Sequence, residues 1–394
     1  MRRSLALVLL GGIFAWAQTS PATAAWSARL RARQVQVSAG LWDLETGRRL
    51  DGDHPERSLI PASTTKVPAT YALLKLLKPE TTLETEVWGD LQNGVVRGPL
   101  VLKGGGDPRF TSERVYMMAQ ELKARGVQRI EGGIVLDQSA FDGQRYGDGW
   151  GNTTSDATPP ILPLSVNFNR AENGRISHDP EPLARATLAR ILQESGIPVA
   201  DGKAPGGPPQ KLLALTSAPL RDLVRDINKW SNNFMVEMLV KRLGDGRWQP
   251  GLARIHAFYA QELGLGQDQL SLTDGSGLSK DNRLSASALA SILRAGWHDF
   301  EVGPEFVDSL KIIGGEPWAL RMKDPDLARR VRCKTGYLSG VHTVCGYLQT
   351  SSGKVRAFAI LLNGRRAQEA DLWNLVKRWA GPPPEAGTRP APGR

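Results

Sequence analysis

Two stretches of helical periodicity, PASTTKVPATYALLKLL from Pro61 and LRDLVRDINKWSNNFMVEMLVKRLG from Leu220, are separated by a long region of short segments that alternate apolar and polar residues. Periods of about 3.6 and of 2 bury different faces and belong to different elements. The chain therefore reads as one domain interrupted by another, which suits its 394 residues. Within 81–219, TTLETEVWGD, GVVRGPLVLKGGGDP and GGIVLDQSAF alternate as strands, while TSERVYMMAQELKARG and EPLARATLARILQESG have helical spacing, which predicts a small inserted α+β domain. The flanking parts, 26–80 and 220–380, form the interrupted domain. There VQVSAGLWDLETGRRL predicts an edge hairpin turning at Thr46-Gly47, and RVRCKTGYL, TVCGYLQT and KVRAFAILLN predict three more strands before a last helix from about Gln368 to Trp379. The Pro/Gly-rich tail, 381–394, is expected to be disordered.

Three short strings in the interrupted domain carry chemistry. A serine hydroxyl attacks a carbonyl only once a base takes its proton, and a lysine three residues on in a helix lies on the same face, within hydrogen-bond reach. Ser63 and Lys66 have that spacing. For Lys66 to be a base its pKa must fall, which burial and a second cation such as Lys334 would supply. Pro68 lacks an N–H for the Thr64 carbonyl and predicts a kink just beyond Lys66. Ser231 and Asn233, two apart in WSNNF between helical segments, are suited to relay a proton and to hold a substrate amide; a helix N-cap is the structural alternative. Lys334, Thr335 and Gly336 fall in a strand, where glycine admits a substrate backbone and the cation and hydroxyl suit a terminal carboxylate. The backbone N–H groups of Ser63 and Tyr337 are candidate oxyanion donors. These are the parts of a serine acyltransferase with lysine in the place of histidine. Asp156, in the loop WGNTTSDATPP, is a candidate to bind a substrate amine.

The first residues fit an export signal: Arg2 and Arg3, an apolar run from Leu5 to about Trp16, and small-residue sites at Ala15/Ala17 and Ala22/Ala24. Cleavage near Ala24 is expected, giving a signal over 1–24 and a fold that starts near Trp26. No later apolar run is long enough to span a bilayer. A net charge of +10 raises nucleic acid as a partner, but the basic residues are scattered without interleaved aromatics, so a solvated basic surface is expected. Five histidines and two cysteines show no metal-ligand spacing, and no metal or cofactor is expected. Cys333 and Cys345 stand nearly equidistant from a hairpin turn; a disulfide and two buried thiols both remain open.

The segment TDGSGLSKDNRLS, from Thr273 to Ser285, resembles the signature of the class C low-molecular-mass penicillin-binding proteins, the D-alanyl-D-alanine carboxypeptidase/endopeptidases. KGGGDP at Lys103 and LPLSVNFN at Leu162 are similar to that family's inserted region, and the likeness runs from about Val35 to about Trp379. The resemblance implies a penicillin-recognising serine transpeptidase/β-lactamase-like fold, an antiparallel sheet between helical layers with an inserted domain. It implies Ser63 as acylated nucleophile, Lys66 as base, Ser231 and Asn233 as second element, and Lys334, Thr335 and Gly336 as third. It implies cleavage of D-Ala-D-Ala peptides of the wall, capture of β-lactams, and location in the periplasm or envelope. Three departures stand out: the insertion is short, so the family's nested third domain is expected to be missing or vestigial; Tyr337 replaces a small hydroxyl residue after Lys-Thr-Gly; and Pro68 lies in the nucleophile helix. Asp274 and Ser276 are expected to brace turns. The alternatives are a serine β-lactamase, for which no added carboxylate base is identifiable, and a non-catalytic wall-binding or penicillin-sensing module. Oligomeric state is not legible.

Overall fold

The computed structural model describes residues 19–150, 158–200, 202, 206–315 and 324–383. Helix α1 (Pro21–Ala32) comes first, with Ser20 as its N-cap. Strands β1 (Gln36–Asp43) and β2 (Arg49–Asp53) form the hairpin expected around Thr46-Gly47. Helix α1 begins before Trp26, near which the fold was expected to start. Asp51 on β2 is buried and accepts from the Ser20 N–H (2.9 Å), Ser20 Oγ (2.8 Å), Thr23 Oγ1 (2.5 Å) and Trp379 Nε1 (2.9 Å). A buried carboxylate with fewer donors would be costly, so α1 is part of the domain.

A 3-10 turn, Ala62–Thr65, leads into α2 (Lys66–Leu77). Pro68 cannot donate to the Thr64 carbonyl, and the change from 3-10 to α winding falls just before Lys66. Helix α2 is buried on nearly every side, so it reads as apolar with little amphipathic contrast.

The next region builds a second sheet from β3 (Glu84–Gln92), β4 (Val95–Lys103), β5 (Arg129–Ile130), β6 (Ile134–Asp137) and β7 (Gln210–Thr216), in the order β5-β4-β3-β7 with β6 also on β4. Helices α3 (Ser112–Ala124) and α4 (Pro180–Glu194) cover it. Val87, Leu100, Leu102, Met118 and Leu188 belong to this region's own core.

The chain then forms α5 (Leu220–Trp230), α6 (Asn233–Leu243), α7 (Trp248–Leu263), the small pair β8 (Leu270–Ser271) and β9 (Arg283–Leu284), α8 (Ala286–His298) and α9 (Gly303–Ser309). Strands β10 (Lys311–Ile312), β11 (Val331–Leu338), β12 (Val341–Gln349) and β13 (Val355–Asn363) precede α10 (Glu369–Ala380). The main sheet is antiparallel throughout, in the order β10-β11-β12-β13-β1-β2. On β13, Phe358, Ile360 and Leu362 join Trp26 of α1 and Leu375 of α10, while Ala359 and Leu361 join Leu73 of α2, Val236 of α6 and Leu289 of α8. Both faces of the strand are covered, which explains its unbroken apolar run. The architecture is thus α+β, an antiparallel sheet between helical layers.

Register decides the cysteines. Cys333 is opposite Gly346 and Cys345 is opposite Lys334, a one-residue offset that sends the side chains to opposite faces. Cys333 packs in the core shared with α1 and α10, and Cys345 in the core of the other helical layer. They are two buried thiols, not a disulfide.

Candidate active site

Ser63 lies in the 3-10 turn and Lys66 is the first residue of α2, so their side chains rise from one short stretch. Lys66 is fully buried, and its Nζ lies 3.1 Å from Ser63 Oγ, 2.6 Å from Asn233 Oδ1 and 2.7 Å from the Ser276 carbonyl. Burial pulls its pKa down to about 7, against the opposing pull of the Asp274 and Glu237 charges. The last two partners are pure acceptors, the tightest of the three. A neutral amine has two N–H bonds to give and one lone pair, so donating to Asn233 and Ser276 turns the lone pair toward the Ser63 hydroxyl.

The Ser-x-Asn string sits in the break between α5 and α6. Ser231 ends α5 in the left-handed conformation, φ 57° and ψ 39°, and its Oγ accepts from Lys334 Nζ at 2.8 Å. Asn232 caps α6, accepting from the Met235 N–H at 3.0 Å. The capping duty thus falls on the middle residue, and Ser231 and Asn233 each meet a lysine.

Lys334 is buried in β11 and donates to the Thr335 carbonyl at 2.7 Å as well as to Ser231. Burial, and then the nearby Lys66 charge, holds its pKa well below the ordinary lysine value. Strand β10 pairs only with Cys333 and Arg332, so from Lys334 onward that edge of β11 carries no strand partner among the described residues. A side chain at Gly336 would put its Cβ 2.8 Å from both the Ser63 nitrogen and the Pro61 carbonyl. Only glycine lets the strand approach the nucleophile this closely. The Tyr337 ring is 69% exposed and stands edge-on to His342, with centroids 5.1 Å apart. Asp156 lies outside the described residues.

A supporting layer was not singled out as chemistry in the sequence. Glu237 is fully buried on α6 and accepts from the Ser276 N–H at 2.7 Å and Trp248 Nε1 at 2.9 Å; burial and the Asp274 charge raise its pKa to about 7. An acid four residues after Asn233, interrupting the apolar run from Phe234 to Val240, was the available signal. Lys241, one turn further, is also buried and binds Asp142 (2.5 Å) and the Gln144 carbonyl (2.6 Å), tying the segment 142–144 to α6. Among the described residues no group of three or more His, Cys, Asp or Glu side chains is arranged to hold a metal ion.

An antiparallel sheet between helical layers, with a serine and a buried lysine at the start of the central helix, defines the penicillin-recognising serine enzyme class. The chain matches the D-Ala-D-Ala carboxypeptidase 3 (S13) family over residues 27–173 and 163–380, and it belongs to that family. It is 29% identical over 370 residues to Carboxypeptidase DacB of Mycolicibacterium smegmatis, covering 85% of this chain and 79% of that one. It is 28% identical over 417 residues to the D-alanyl-D-alanine carboxypeptidase of an Actinomadura species, with 82% and 76% covered. The crystal structure of penicillin binding protein 4 from Haemophilus influenzae shares the fold, with a TM-score of 0.75 at 21% identity over 90% of this chain and 99% of that one. The protein is a carboxypeptidase of this family.

Proposed function

We propose that the protein trims peptidoglycan stem peptides through an acyl-Ser63 intermediate, acting as a D-Ala-D-Ala carboxypeptidase and also as an endopeptidase on cross-bridges. The observation that carries this reading is the Lys66 amine held between Ser63, Asn233 and Ser276. Neutral Lys66 takes the Ser63 proton as Oγ attacks the carbonyl of the penultimate D-Ala. The Ser63 and Tyr337 N–H groups receive the oxyanion, each contributing about 3 kcal/mol. Ser231, linked to Lys334, relays the proton that Lys66 took to the departing D-Ala amine, which leaves Lys66 neutral again, and Asn233 holds the substrate amide. Lys334 and Thr335 meet the terminal carboxylate, with Gly336 leaving room for the peptide backbone. Water then hydrolyses the ester. Asp156 is proposed to bind the free amine of the stem peptide's diamino acid, from an inserted domain spanning 81–219. The protein acts outside the cytoplasm, in the periplasm or envelope, after removal of its export signal.

β-Lactams acylate the same serine and stay bound. A β-lactamase needs fast deacylation, usually through a carboxylate open to water. Glu237 and Asp274 are instead saturated with backbone, amide and indole donors. A fluorescent penicillin should label the wild type durably and leave Ser63→Ala unlabelled, and the wild type should release D-alanine from a pentapeptide. Rapid loss of label with hydrolysed penicillin accumulating would favour the β-lactamase, and label in Ser63→Ala would overturn the nucleophile.

A further inference from the structure

The Ser276 carbonyl that accepts from Lys66 belongs to the peptide unit Ser276–Gly277. The N–H of that same unit donates to Asp274 Oδ1 at 2.7 Å, the distance also found between the carbonyl and Lys66 Nζ. One rigid plane therefore has a carboxylate at one end and the lysine at the other. A carboxylate accepting from an amide N–H polarises the unit and makes its carbonyl a stronger acceptor. Gly277 has φ +83°, and a Cβ there would collide with the Ala62 carbonyl, so the plane is wedged against the turn that carries Ser63.

Asp274 is itself fully fixed. It is completely buried and also accepts from Asn282 Nδ2 (2.8 Å), the Ser279 N–H (2.7 Å) and Trp150 Nε1 (2.9 Å). Trp150 comes from the region between the first two of the three strings. We infer that Asp274 is a positioning residue for Lys66, acting through the Ser276–Gly277 peptide unit, with Trp150 setting how much of its charge the peptide receives. This rests on Lys66 being the base. Its place in the molecule parallels the acid that orients histidine in serine proteases, with a peptide group interposed.

The charged groups around Lys66 are Asp274, Glu237 from α6 and Lys334 from β11. Replacing Asp274 removes one negative charge, and Glu237, relieved of its repulsion, ionises more completely and offsets part of that loss. The test is the second-order rate of labelling by a fluorescent penicillin between about pH 5 and 9, with circular dichroism as the folding control. In Asp274→Asn the high-pH rate should fall about tenfold or more, and the acid limb should move to lower pH by about half a unit or more, because Lys66 loses its proton more readily. In Trp150→Phe, which keeps the carboxylate and takes one donor from it, the acid limb should move to higher pH. A folded Asp274→Asn whose limb coincides with the wild type overturns the inference. If that variant does not fold, an unmoved limb in Trp150→Phe does so. Lys66→Ala separates the two readings: normal labelling would overturn Lys66 as base, whereas loss of labelling there with an unmoved limb in Asp274→Asn removes only the positioning role.

Discussion

Two non-glycine residues beside the reactive groups hold left-handed backbone, Ala62 at φ 48° and Ser231 at φ 57°. Each such conformation costs about 1–3 kcal/mol and persists only where neighbours hold it. Around Ala62 the neighbours are threonines: Thr65 Oγ1 donates to the Ala62 carbonyl at 2.8 Å, and Thr64 and Thr343 hydroxyls both donate to the Pro61 carbonyl at 2.7 Å. These bonds fix the turn that presents Ser63, and Gly336 is the counterpart across the cleft. Gly336→Ala should lower the acylation rate about 100-fold, because the added methyl pushes the strand off the Ser63 nitrogen and a displacement of about 1 Å costs that much; stopped-flow labelling with a fluorescent penicillin checks it. Lys66 makes the pH prediction. In the proposed mechanism its neutral form is the base, and its pKa is lowered to about 7, so the acylation rate should rise as pH climbs through about 7 and level off above, as a rate profile from the same assay will report.

Helix α1 shows how an element is recruited. Beyond the donors from Ser20 and Thr23 to Asp51, Trp26 is buried and its Nε1 donates to the Asp371 carbonyl at 3.0 Å, joining α1 to α10. Hydrogen bonds from Ser20, Thr23 and Trp379 outweigh burial at Asp51 and keep its carboxyl below the usual range. Cutting the chain after Ala24 would remove the Ser20 and Thr23 donors and leave a buried carboxylate short of partners, at a cost of about 1–3 kcal/mol or more. If the proposed export signal is removed, the cut is therefore expected after Ala17, leaving a chain that starts at Gln18. N-terminal sequencing of secreted protein tests this, and a start at Ala25 would contradict it. The apolar run and small residues suggest a signal, but which small-residue site would suit it depends on Asp51, a contact across some thirty residues that periodicity does not encode.

At the scale of the whole molecule, the main sheet keeps its cysteines apart. Because Cys333 and Cys345 lie on opposite faces and burial holds the Cys345 thiol neutral, reductant should leave the melting temperature unchanged. A thiol reagent should find two reactive groups only after denaturant is added; one titration in each condition checks both statements. The sequence alone determined the α+β class, the order of helices and strands, and the three strings whose side chains meet, because periodicity and local spacing are properties of neighbouring residues. Ser63 and Lys66 were legible for that reason, as were the strands on either side of Lys334. Glu237, Trp150 and the Ser276 carbonyl were not, since a buried acid, an indole and a main-chain oxygen acquire a role only when distant segments close around them. Tertiary structure alone decided the strand register that separates the cysteines, the burial that lowers the Lys66 pKa, and the packing of α1 against β2 and α10. Each depends on which surfaces are removed from water together, and that is fixed by packing across the whole chain.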